Sequence, residues 1–379
     1  MRLPRKNTLG LAALLFLLAT LAAGVAACGG NDGHTRAAAA TTTATTPAPA
    51  DQRWKKVLPG GDCECADGSE FAFWERRADP SRVVFFLDGA GTCTDATTCA
   101  FTGLGAGGEE NYDWSIYGED PASEDGIFDF ARADNPFLEY SFIFVPSCTG
   151  DIHLGDVTRE YSPELTVEHN GFVNGTTALG YLAEHYPDAA QVVVVGKTAG
   201  SIAAPVYGGL AADLLRDAQV TVLGAQSGHI PDDPDLNAEI GELWGAYDTM
   251  PEWEVNDGLT ARDWGPTRFW IQAGLHDPDL MLARFDYAYD REAAEGAKER
   301  GWDPSKLLDV IDANEAAIEK AGVVLHSYTA AGDSHGIFEY ERFYEIEVNG
   351  VKLVDWVSTL IEGERLDDVH CQNCRGKGQ

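Results

Sequence analysis

The chain has 379 residues, with 61 Asp or Glu against 27 Lys or Arg, for a formal net charge of −34 at pH 7. That balance excludes nucleic acid as a partner, because phosphates require Lys and Arg, and excludes binding to an anionic membrane through the protein surface. An acidic coat of this kind keeps an exported protein soluble.

Arg2, Arg5 and Lys6 precede an apolar run from Leu9 to Ala27, the layout of a secretory signal over residues 1–27. The run ends in Val25-Ala26-Ala27-Cys28, which resembles a bacterial lipobox and makes Cys28 the expected site of lipidation. Residues 28–55 then form a tether of Gly, Ala, Thr and Pro, too poor in large apolar side chains to fold. Residues 56–379 are expected to fold as one α/β domain. The chain is therefore expected outside the cytoplasm, held on the outer side of a bacterial cell membrane through its N-terminal lipid alone, or secreted.

Cysteine usage agrees with export. Beyond Cys28 there remain Cys63, Cys65, Cys93, Cys99, Cys148, Cys371 and Cys374, an odd set that leaves at least one thiol unpaired after disulfides form. Cys371 and Cys374 have the spacing of half a zinc site or a redox pair, but no second C-x-x-C supplies further ligands.

Within the domain, 71–74 reads as a short strand and Arg82–Leu87 as a stronger, buried one. It runs into Asp88-Gly89-Ala90-Gly91, a glycine-rich turn placed where a hydrolase of the α/β type takes one oxyanion donor. Gly103 to Gly108 fits G-x-G-x-x-G but follows no strand, so it reads as a loop.

Gln191 to Val195 is a run of β-branched residues expected in a central strand, followed by Gly196-Lys197-Thr198-Ala199-Gly200 and a helical pattern. This is the G-x-S-x-G nucleophile elbow with threonine in the serine place, Ala199 supplying the second oxyanion N–H. Threonine fits the elbow badly, because a β-branched residue at positive φ is strained and its methyl crowds the approach of a carbonyl.

Gln219–Leu223 is the next expected strand, with Ser227 and His229 after it as site lining or plain loop. Asp232, Asp233 and Asp235 read as a helix N-cap or a calcium site. The run 268–275 is expected as a strand ending near Asp277 and Asp279, and Asp277, nearer that end, is the expected acid of a catalytic triad. Helical patterns follow to Ala321. A strand over Val323–Tyr328 then leads to His335 on a glycine-flanked loop, where the general base is expected. Asn349-Gly350 signals a hairpin, and a final amphipathic helix covers about 354–361. Trp114, Trp253 and Trp264 are open to sugar stacking or to core packing.

An ordered series of segments carries a family resemblance. CADGSEFAFW, VVFFLDGAGTC with Cys99 beyond it, NPF at 135–137, VPSCTGDIHLGD, HNGFVN, GKTAGSIAAPVYGGL, GDSHGIF, VDWV and the terminal C-x-x-C resemble the successive blocks of the pectin acetylesterase family. The resemblance implies an α/β-hydrolase fold, a mostly parallel central sheet with helices on both faces. It further implies a Ser, Asp, His triad that removes acyl groups from esters; the members expected here are Thr198, Asp277 with Asp279 as its rival, and His335, acting on an ester-bearing small molecule or polysaccharide without metal or organic cofactor. Two positions depart from the family: Thr198 replaces its serine, and Ala90 replaces the middle glycine of its oxyanion turn, Gly89 to Gly91. The alternative is a degenerate hydrolase that binds a glycan or lipid without turnover. Cys93 and Cys99 are expected to pair, closing a short loop that stiffens the oxyanion turn.

Overall fold

The computed structural model describes residues 52–102, 111–364 and 366–375. The expected signal segment, Cys28, most of the tether and the 103–108 glycine loop lie outside those residues. Packing begins slightly ahead of the expected boundary, since Trp54 already packs on Phe128, Phe130 and Phe142.

The strands in chain order are β1 (Lys55–Val57), β2 (Phe73–Arg76), β3 (Asp79–Leu87), β4 (Tyr140–Val145), β5 (Val157–Ser162), β6 (Leu165–His169), β7 (Gln191–Lys197), β8 (Gln219–Ala225), β9 (Met281–Tyr287), β10 (Leu325–Ala330), β11 (Glu347–Val348), β12 (Val351–Lys352) and β13 (Val369–His370). The α-helices are α1 (Gly171–His185), α2 (Ala199–Leu214), α3 (Pro234–Trp244), α4 (Pro266–His276), α5 (Arg291–Glu299), α6 (Leu307–Lys320) and α7 (Leu353–Ile361). One sheet takes the order β1-β2-β4-β3-β7-β8-β9-β10-β13. The β1–β2 and β2–β4 pairs are antiparallel, while β4–β3, β3–β7, β7–β8, β8–β9, β9–β10 and β10–β13 are parallel.

A parallel sheet covered on both faces needs strands that are apolar throughout, and β3 and β7 supply them. Successive side chains alternate between two cores. Val83, Phe85, Leu87, Val192 and Val194 face α1, α2 and α4, whereas Val84, Phe86, Val193 and Val195 face α7. Each fully buried Val or Phe contributes about 1.5–3 kcal/mol by leaving water, which makes the centre of the sheet a rigid base for the loops at its carboxyl end. Asn349 and Gly350, with φ 52° and 85°, make the expected hairpin turn between β11 and β12.

One element differs from expectation. The segment 268–275 is the body of α4, not a strand: Pro266 opens the helix at its first turn, and Phe269, Trp270, Ile271 and Ala273 are buried on it. Its aromatic and β-branched content mimics strand composition, but packing against α2 decides the outcome. The strand is instead β9, whose sequence MLARFDY hides two charges, Arg284 and Asp286, paired at 2.7 Å with both side chains almost completely buried.

Candidate active site

Thr198 stands between the end of β7 and the start of α2 at φ 46° and ψ −109°. A β-branched residue rarely adopts that backbone, and the surroundings hold it there: its N–H donates to Ala225 O at 2.9 Å and its carbonyl accepts from Ser201 N–H at 3.0 Å. The flanking glycines are sterically required. A β-carbon on Gly196 would strike Gly200 and Ser201, and one on Gly200 would strike the backbone of Leu87 and Asp88. The expected elbow is therefore present, with α2 placing the Ala199 N–H at its N-terminus.

Beside it lies the turn Asp88 to Gly91, clamped from three sides. Asp88 N–H donates to Val145 O at 2.9 Å, buried His153 bonds Asp88 O through Nε2 at 2.7 Å, and Asp113 N–H donates to Ala90 O at 2.9 Å. Gly89 touches the elbow so closely that a β-carbon there would collide with the Thr198 hydroxyl. The Cys93–Cys99 disulfide is formed just beyond the turn, and Cys93 N–H is tied to Gly150 O at 3.0 Å. Ala90 faces the cavity with its extra methyl.

His335 lies on the loop after β10. Its Nδ1 bonds Asp290 Oδ2 at 2.8 Å. Asp290 follows β9 and caps α5: its Oδ1 accepts from Glu292 N–H at 2.8 Å and Ala293 N–H at 3.1 Å, while Gln226 Nε2 donates to Oδ2 at 3.1 Å. Burial works against the Asp290 carboxylate, but His335 and these N–H groups outweigh it and hold its carboxyl below the ordinary range. The two loops are zipped together by Ala288 N–H to Ala330 O, Tyr289 N–H to Gly332 O and Arg291 N–H to Asp333 O. That ladder brings acid and imidazole to one place.

Asp277 is not the partner of His335. It is the C-cap of α4, and its Oδ1 accepts from Asp279 N–H at 3.0 Å. The neighbouring His276 bonds Asp213, at the far end of α2 from Thr198. At 1.5 Å rise per residue that end lies roughly 20 Å away. Asp279, the other expected candidate, lies in the same exposed turn. Sequence reasoning missed Asp290 because it assigned the strand one element too early. The pattern strand then Asp-x-x-Ala at a helix start was the available signal.

A cavity of about 610 Å³ opens over these groups. Thr198, Ala199, Gly89, Ala90, His229, Glu292 and His335 line its polar end, and Ile152, Leu154, Ile202, Ile240, Trp264 and Phe269 are among its apolar walls. Burial pushes the pKa of the His229 imidazole below its ordinary value. No hydrogen bond joins Thr198 to His335; His335 Nε2 instead meets Glu292 Oε2 at 3.1 Å. Lys197, next to Thr198, pairs with Asp88 at 2.8 Å and Glu339 at 3.4 Å. Burial alone would lower its ammonium, yet these carboxylates hold it well above its ordinary value.

The family model described as Pectinacetylesterase matches residues 59–241, a stretch that holds the oxyanion turn and the elbow. Over those residues the sequence is similar to the pectinacetylesterase family. The crystal structure of the Wnt deacylase Notum from Drosophila is similar at a TM-score of 0.64 and 16% identity, covering 86% of this chain and 99% of that one. The likeness shows the α/β-hydrolase fold. No curated protein matches the sequence.

Other expected features resolve simply. Asp233 caps α3, accepting from Asp235 N–H and Leu236 N–H, while Asp232 accepts from Asn237 and Asp235 pairs with Arg262. Ser227 is bonded to Ser201 at 2.8 Å beneath the elbow. Trp253 is buried and stacked on His276, Trp114 packs with Phe101, and Trp264 stacks on Phe269 in the cavity wall. Cys371–Cys374 and Cys65–Cys148 are disulfides, and among the described residues Cys63 is the buried free thiol.

Proposed function

We propose that this chain is an exported, lipid-anchored ester hydrolase that removes acyl groups with Thr198 as nucleophile, His335 as base and Asp290 as the acid that orients it. The observation that carries the reading is the Asp290–His335 pair at 2.8 Å, placed over a cavity shared with an elbow residue at φ 46°. In this scheme His335 Nε2 takes the hydroxyl proton, Thr198 Oγ1 attacks the ester carbonyl, and the N–H groups of Ala199 and the Gly89 to Gly91 turn receive the oxyanion. The alcohol leaves with the proton from His335, and water then cleaves the acyl-threonine by the same base. The apolar walls suit the acyl side of an ester, and the open polar end suits its alcohol, a small molecule or a sugar of a polysaccharide.

A second reading, a hydrolase fold that binds without turnover, is favoured by one observation: the Thr198 hydroxyl makes no hydrogen bond to His335. Hydrolysis of p-nitrophenyl acetate by the purified domain, Thr198→Ser and His335→Ala separates the two. Slow turnover that Thr198→Ser raises and His335→Ala abolishes is expected. Inert parent and inert Thr198→Ser would hand the protein to the second reading, and activity that survives His335→Ala would remove His335 as base.

A further inference from the structure

The start of α5 brings two carboxylates, not one, to the same imidazole. Asp290 takes Nδ1 at 2.8 Å and Glu292 takes Nε2 at 3.1 Å. The two differ sharply in setting: the Asp290 side chain is 1% exposed and fixed by three further donors, whereas Glu292 is 60% exposed and stands in the cavity lining. We propose that Glu292 is a positioning residue that occupies the base: in the resting protein it holds Nε2 of His335, and Nε2 reaches the Thr198 hydroxyl only when Glu292 is displaced. This rests on the esterase reading of the same site.

The chemistry follows from the proton count. A carboxylate oxygen and a ring nitrogen at hydrogen-bond distance must share a proton, whether it is written on the imidazole or on the carboxyl. In either form the Nε2 lone pair is engaged and cannot accept the proton of Thr198. The nucleophile is correspondingly unattached, its hydroxyl lying over Gly89. An exposed ion pair is weak, so an ester entering the cavity displaces Glu292 easily and the occupation costs only a few-fold in rate. Other charged or titratable groups that share the cavity lining with the imidazole are His229 after β8, Arg300 after α5, Glu339 beyond its own loop and Lys197 on the elbow, with Arg342 behind the loop. Arg342 is bonded to His335 O at 2.7 Å, and Lys197 is already paired with Asp88 and Glu339. None of these is bonded to Nε2.

Glu292 sits in the first turn of an exposed helix, where alanine is well tolerated. Two measurements on the full chain test the proposal in the parent, Glu292→Gln and Glu292→Ala, with Glu299→Gln as a control. The first is carbethoxylation of His335 by diethyl pyrocarbonate, followed by peptide mass spectrometry, which requires a free ring-nitrogen lone pair and no turnover. The rate is expected to rise severalfold in Glu292→Ala, less in Glu292→Gln, and not in the control. The second is kcat/KM for p-nitrophenyl acetate, which is expected to rise severalfold in Glu292→Ala and to stay unchanged in the control. Unchanged carbethoxylation overturns the proposal, as does a fall in kcat/KM, which would place Glu292 on the substrate. A faster carbethoxylation in a protein that hydrolyses nothing would keep the Glu292 contact and discard the esterase reading.

Discussion

The hydroxyl of Thr198 lies directly over the α-carbon of Gly89, in the space where a β-carbon would stand. The Asp88 to Gly91 turn and the elbow thus interlock at that point, so in the proposed mechanism the turn would set the position of the attacking oxygen as well as that of the oxyanion. Gly89→Ala must displace one of them. A shift of about 1 Å costs on the order of a hundredfold, and kcat/KM on an activated acetyl ester is expected to fall by about that factor while the circular dichroism spectrum is kept.

Asp290→Asn tests the assignment of the acid. An amide there leaves His335 Nδ1 without an anionic partner, and loss of the corresponding group in other triads lowers kcat by about 10⁴. A drop of roughly 10³ or more is expected, against no change in Asp277→Asn. The reverse result would return the acid to the α4 turn and detach Asp290 from the chemistry.

Glu119 gives a pH prediction. Burial, with Asp88 and Asp113 adding repulsion, pushes its carboxyl from 4.5 up to about 8. A raised folded-state value means that its contribution to stability is complete below the unfolded value near 4.5 and is lost as pH rises through about 8. The thermal midpoint of the parent is expected to fall between pH 6 and pH 9 more steeply than that of Glu119→Gln. Equal slopes in the two proteins would show that the group titrates normally.

The proposed anchor is tested at Cys28. If that cysteine is lipid-modified, the mature chain is expected to begin there and to sediment with membranes. Intact-mass analysis of the mature N-terminus decides it, and an unmodified Cys28 within a longer or shorter chain would remove the anchor.

Much of the site could be read from residues whose chemistry is local. The valine run of β7, the paired glycines around Thr198 and the glycine turn after β3 each impose their own conformation, and the structure keeps them. His335 was legible because its loop follows a strand of plain composition. Its partner Asp290 was not, since the strand before it carries Arg284 and Asp286, whose burial is stable only because each is paired, Asp286 also accepting from Gly228 N–H at 3.0 Å. A charge pair satisfied across the tertiary structure leaves no periodicity in the sequence, and α4 next to it displayed the aromatic content of a strand. Glu292 was equally hidden, because its contact with His335 exists only once β9 and β10 stand side by side.

Cys63 lies two positions before Cys65, whose disulfide reaches across 83 residues to Cys148. In the unfolded chain the two thiols compete for one partner, and a bridge from Cys63 to Cys148 would close almost the same loop at almost the same entropy. Chain statistics therefore do not choose between them; burial does. Desolvation raises the Cys63 thiol above its ordinary value and keeps it a poor attacking group once the surrounding core has closed. Packing around Cys63 therefore distinguishes two pairings that chain statistics leave equal, and refolding from the reduced state is expected to pass through exchange between these isomers.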